Sequence, residues 1–152
     1  MSETRSYTVR EKRFQRSDLL SLADIFQSLA REIGAGENDL TITVWTSDEV
    51  IYESSTARHL GEGSTADTKR VLAVEFNLRV YRESRHLSAN LKLAHGDTHF
   101  GSNQLRVSGD EAFAHSAFSR LRERLSSVEP SSSWFQDTRD CYSTCLLSFW
   151  EF

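Results

Sequence analysis

Few residues in this sequence could carry chemistry, and each of them sits where a plainer explanation also holds. His95-Gly96-Asp97-Thr98-His99 gathers two imidazoles and a carboxylate in a short run. Zinc needs such ligands converging at about 2 Å in a tetrahedron, and a hairpin tip could bring His95 and His99 together across a turn. Gly-Asp is itself turn chemistry, however, and His59 and His86 could join the cluster only through folding. A turn is therefore expected, with no metal and no cofactor. An enzyme reading would have His95, Asp97 or His99 approach a second polar group in a cleft; it is kept as a further alternative. Cys141-x-x-x-Cys145 does not have the C-x-x-C spacing of redox and zinc motifs. Those cysteines are expected as small hydrophobes. Gly61-Glu62-Gly63-Ser64 lacks the lysine of a phosphate-binding loop, and no Gly-x-Ser-x-Gly elbow occurs. The carboxylate pairs Asp48/Glu49 and Asp110/Glu111 fall at turns and helix starts, where acids belong structurally. No catalytic residue is assigned.

Binding chemistry is better represented. Val71 to Arg82 alternates with period two, which reads as a strand. One face carries Leu72, Val74, Phe76, Leu78 and Val80. The other carries Val71, Ala73, Glu75, Asn77, Arg79 and Tyr81. With Thr43 and Trp45 from a neighbouring strand, the second face becomes an aromatic and arginine platform. Trp, Tyr and Arg are the residues enriched at interface hot spots. Such platforms also stack bases, but the chain carries 22 acidic against 18 basic residues, a net charge of −4. Phosphate-binding chains are usually basic, so nucleic acid is not the expected partner. A second candidate site is Tyr52, Arg58 and His59, which could anchor a small molecule in a pocket between the sheet and the C-terminal helix.

The elements that must position these residues can be read in order. Tyr7-Thr8-Val9-Arg10 suggests a short first strand. Ser17 is placed as a helix N-cap, with Asp18 in the first turn. Leu19, Leu22, Ala23, Phe26, Leu29, Ala30 and Ile33 then form one apolar stripe, ended by Gly34. Leu40 to Trp45 alternates, Ser47-Asp48 turns, and Val50-Ile51-Tyr52 returns. Residues 54–68 read as a loop with one helical turn at Ala57–Leu60. Leu87, Ala89, Leu91 and Leu93 repeat the strand alternation. Gly96-Asp97 makes a hairpin to a last strand over Thr98–Val107. Ser108-Gly109-Asp110-Glu111 has the Ser-x-x-Glu form of a capping box. Ala114, Ala117, Phe118, Leu121, Leu125 and Val128 make a second stripe, closed by Pro130.

The order is β-α-β-β-β-β-β-α. Short connections favour antiparallel neighbours, and each helix has only one apolar face to bury. The expected class is thus α+β and two-layered: an antiparallel sheet of five to six strands with two amphipathic helices on one face. The order is similar to that of helix-grip and TATA-binding-protein-like folds, an analogy of element order alone, which fixes no function. Residues 1–133 are read as one domain, in keeping with a length of 152 residues and a composition well outside the disordered class. Residues 134–152 are a separate aromatic tail containing Trp134, Phe135, Tyr142, Phe149, Trp150 and Phe152. So apolar a tail is expected to pack on the domain or on a partner.

Residues 1–16 lack the apolar core of a signal peptide, and no stretch of 18 apolar residues exists to span a membrane. With only two cysteines, the expected setting is cytoplasmic. The composite expectation is a non-enzymatic protein-interaction or self-association module that forms a homo-oligomer or binds a protein partner. Its interface would use Trp45, Arg79, Tyr81, Trp134, Phe135 and Trp150. The alternative is a small-molecule or nucleotide-binding sensor using Tyr52, Arg58 and His59.

Overall fold

Alternating apolar residues at positions 40–44, 74–80, 87–93 and 105–107 give the chain four strand faces to bury, and two helical stripes supply the cover. The computed structural model describes residues 2–9, 14–60, 71–82, 84–94 and 103–128. Among them the order is β1 (Ser2–Thr8), α1 (Arg16–Glu32), β2 (Leu40–Thr46), β3 (Ile51–Ser54), β4 (Val71–Arg82), β5 (Arg85–Ala94), β6 (Gln104–Asp110) and α2 (Glu111–Ser126). This is the order expected from the sequence, and the class is α+β.

The strands form one antiparallel sheet in the order β1-β6-β5-β4-β2-β3. The pairs β2–β3, β4–β5 and β5–β6 are neighbours in both chain and sheet, whereas β4 returns beside β2 rather than β3 and β1 joins the far edge beside β6. Both helices lie on one face: α1 packs on β2 and β4, α2 packs on β6 and β1, and the helices touch each other. Phe26 of α1 stacks on Phe76 of β4 with ring centroids 5.2 Å apart. Leu22, Leu121, Ile42, Leu91 and Leu105 join them in one continuous core. Two ion pairs link the helices across their upper surface: Arg120 reaches Glu32 at 2.6 Å, and Arg124 reaches Asp18 at 2.8 Å.

Local chemistry explains the ends of the elements. The first helix starts earlier than Ser17. Its N-cap is Gln15, whose backbone N–H donates to the Asp18 carboxylate at 2.8 Å. Phe14 and Leu19 occupy the flanking positions of a hydrophobic staple and are both fully buried. Gly34, with φ +67°, takes the left-handed position after the helix as expected. At the second helix the Ser108 box is replaced. Ser108 and Gly109 belong to β6, and Asp110 is the N-cap, accepting from the Phe113 N–H at 2.9 Å. The first strand also begins earlier than Tyr7, at Ser2.

One expectation about a strand face is corrected. Trp45 pairs with Ala73 but Thr46 pairs with Val71, so Leu72 is skipped. This β-bulge reverses the alternation at the start of β4. Val71 therefore enters the core, while Leu72 is only half-buried.

Candidate functional site

The sheet has an outer face, turned away from both helices, and its residues follow from the register. β4 contributes Ala73, Glu75, Asn77, Arg79 and Tyr81. β2 contributes Thr41, Thr43 and Trp45; β5 contributes Ser88, Asn90, Lys92 and Ala94; β6 contributes Gln104, Arg106 and Ser108. The face is more than a solvated pleat, because Thr43, Ala73 and Ala94 are buried.

At one end, the Lys92 ammonium lies over the Trp45 ring, 5.6 Å from its centroid. Lys92 stands on β5 and Trp45 on β2, with β4 between them. The two side chains must therefore lean toward each other across β4, where Ala73 leaves room for them. A cation over an indole face is an electrostatic attraction of about 0.5–2 kcal/mol, larger when desolvated. Ile51, opposite Trp45 in register, extends this end with an apolar side chain that is 56% exposed.

At the other end, Tyr81 stacks on His86 of β5 with centroids 4.3 Å apart and rings nearly parallel at 10°. The two residues are direct register partners, and Tyr81 remains 67% exposed. A large aromatic held by a neighbour, and still open to solvent, is a preorganised contact surface.

Between the ends, the Asn90 amide donates to Glu75 at 3.0 Å. The Asn77 Oδ1 is buried and accepts no hydrogen bond among the described residues. A buried acceptor left unmet costs about 1–3 kcal/mol. Arg79 and Arg106 are exposed and form no ion pair among the described residues.

The structure thus places Trp45, Arg79 and Tyr81 on one face, as the sequence suggested, but not in one cluster. Ala73, beside Trp45, is eight residues from Tyr81, a span of about 26 Å along a strand. Lys92, His86 and Asn90 were missed. Lys92 meets Trp45 from two strands away, and His86 and Asn90 meet Tyr81 and Glu75 across the β4–β5 hairpin, so only the register reveals them. The remaining interface candidates, Trp134, Phe135 and Trp150, lie outside the described residues. So do His95, Asp97, His99, Cys141, Cys145, the Gly61–Ser64 segment and the Gly96-Asp97 turn. Among the described residues, no three His, Cys, Asp or Glu side chains are grouped as a metal would require. No helix among them is long and apolar enough to cross a membrane.

Tyr52, Arg58 and His59 form a separate corner beside β3. The Tyr52 and His59 rings are 5.3 Å apart and tilted by 44°. Tyr52 packs against the core, and Arg58 is exposed. Burial first, and the neighbouring Arg58 charge second, push the His59 pKa down, while a hydrogen bond with the Glu53 backbone opposes them. The helical turn expected at Ala57–Leu60 is a single hydrogen-bonded turn, Leu60 N–H to Ala57 C=O at 2.9 Å. It drives Leu60 fully into the core. Phe76, Phe113 and Phe118 are buried in that same core.

Comparison with protein-family models, with curated proteins and with solved structures finds no match to this chain.

Proposed function

We propose that the chain is a non-enzymatic interaction module that works by self-association through the outer face of its sheet. The observation that carries this reading is the exposed Tyr81 ring, held flat against His86 on the same face as the Trp45–Lys92 pair. Ordering a large side chain on binding costs roughly 0.5–1.5 kcal/mol. Here that cost is already met in the free chain, as interface anchors require. The apolar tail at 134–152 and the cytoplasmic setting inferred from cysteine usage fit the same reading.

Sedimentation velocity of the full chain tests it. The expected species is larger than the 17.3 kDa monomer. Tyr81→Ala should weaken association about tenfold or more, as hot-spot truncation does, while leaving the melting temperature close to that of the parent. A full chain that stays monomeric well above micromolar concentration overturns the proposal.

A further inference from the structure

β1 ends the sheet on one side, and its far edge meets no strand among the described residues. One bond fixes which way the backbone groups along it point. The Val9 N–H donates to the Asn103 carbonyl at 3.0 Å, in step with the register that pairs Thr8 with Gln104. Along an antiparallel pair, alternate residues turn both backbone groups toward the partner strand and the others turn them away. Glu3, Arg5 and Tyr7 therefore point theirs at β6, as Val9 does. Ser2, Thr4, Ser6 and Thr8 point theirs outward. The side chains alternate too: Glu3, Arg5 and Tyr7 are half-buried on the helix-bearing side, in register with Gly109, Val107 and Leu105, while Ser2, Thr4, Ser6 and Thr8 are exposed.

Such an edge is usually guarded by shortness, a bulge, proline or charge. β3, at the opposite edge, is only four residues long. β1 is seven residues long, pairs with β6 without a register shift and contains no proline. Its two charges, Glu3 and Arg5, form an ion pair with each other at 2.7 Å, so they present no net charge to an incoming strand.

We infer that β1 is a second docking surface, and that its partner is β1 of another copy of this chain, added antiparallel about a twofold axis through Thr4. Pairing across this edge must bond outward residues to outward residues, which excludes every register offset by one. Charge chooses among the rest. Centring the pair on Glu3 sets Glu3 against Glu3, and centring it on Arg5 sets Arg5 against Arg5. Centring it on Ser6 leaves both charges facing no opposite charge. Centring it on Thr4 sets Glu3 against Arg5 in both halves, Ser2 against Ser6, and Thr4 against Thr4. Opposite charges facing each other across strands stabilise a pair, and like charges destabilise it. Glu3 and Arg5 meet at non-hydrogen-bonded positions, where Cα atoms approach to about 4.5 Å. With the ion pair inside each copy they close a ring of four alternating charges.

The helices leave room for this contact. α2 covers β6 and β1 together, so a β1–β1 spacing of about 4.8 Å sets the two α2 axes about 10 Å apart, the ordinary separation of packed helices. The product is one continuous sheet with all the helices on one side, and the twofold axis closes it as a dimer. The outer face stays open in that dimer, so the edge contact is independent of the contact proposed above.

Amide exchange, followed by NMR on the full chain from dilute to associating concentrations, tests the edge by itself. The Thr4 and Ser6 amides should slow about tenfold or more as the chain associates. Those of Arg5 and Tyr7, bonded to β6 within one copy, should keep their rates. Thr4→Pro removes an outward N–H and no bond to β6, so this variant should fold, and its Ser6 amide should exchange fast at every concentration. Glu3→Arg and Arg5→Glu should each lose the slowing. A mixture of the two, and the double variant E3R/R5E, should regain it. Circular dichroism and melting curves report folding; if the proline unfolds the chain, the charge variants carry the test. Charge variants that keep the slowing overturn the Thr4-centred register. Thr4 and Ser6 amides with unchanged rates, in a chain that sediments as more than a monomer, overturn the edge contact and leave the outer-face reading standing. Slowed amides in a chain whose association ignores Tyr81→Ala support the edge and overturn the face. A chain that stays monomeric overturns both.

Discussion

Gly109 has no room for a side chain. A β-carbon there would sit 2.7 Å from Leu87 Cδ2 and 2.9 Å from Phe113 Cδ1, closer than packed atoms allow. The glycine lets β6 and the first turn of α2 press onto β5. Gly109→Ala should therefore destabilise the fold by about 1–3 kcal/mol, the usual range for overpacking, read as a lower midpoint in chemical denaturation. His59 gives a second prediction at this scale. Its pKa is lowered in the folded chain, so folding favours the neutral ring. The associated stability is complete above the unfolded value of about 6.5 and is lost as pH falls toward the folded value. NMR titration should place the His59 midpoint below about 6.5. Arg58→Ala should raise that midpoint without restoring it fully, because burial remains. The sequence singled out Trp45, Arg79 and Tyr81 from residue type alone. It could not single out Lys92 or His86, whose importance comes from which residue lies opposite them.

At the scale of elements, the apolar periods were legible because each helix has one stripe and each strand one oily face. Leu19 to Leu29 and Ala114 to Leu125 are buried where the 3.6-residue spacing placed them. The ends were less legible. Ser17 and Ser108 are good caps by residue type, yet Gln15 and Asp110 hold those positions, because Phe14 and Gly109 fix where the chain turns into the core. The bulge at Leu72 was hidden for a related reason. Val71, Leu72, Ala73 and Val74 form an unbroken apolar run, and such a run does not say which of two neighbours points inward. The helix–sheet contact supplies a prediction of its own. Phe26 is fully buried and stacked at 11° on Phe76. Phe26→Ala removes that ring and leaves a cavity between α1 and β4, and should cost about 3–5 kcal/mol. Equilibrium unfolding in urea measures it. Arg120 and Glu32, at 35% and 57% exposed, contribute much less, since a solvated pair is screened.

For the molecule as a whole, the acid excess and the arginine-bearing sheet face are not in conflict. The net charge of −4 keeps separate copies from collapsing together non-specifically, while the sheet face carries both signs locally, with Glu75 among Arg79, Lys92 and Arg106. Which residues meet on this surface was only partly legible in the sequence. The face exists only after the strands align, and which residues share it is a property of register rather than of composition. The strand order has one more outcome. β1 is made first but sits beside β6, and Thr4 meets Ser108 across 104 residues of chain. On the ribosome, at about 5–20 residues per second, the amino-terminal segment waits several seconds for the strand it must join. The sheet is thus finished by its oldest residues, and only after β6 has emerged.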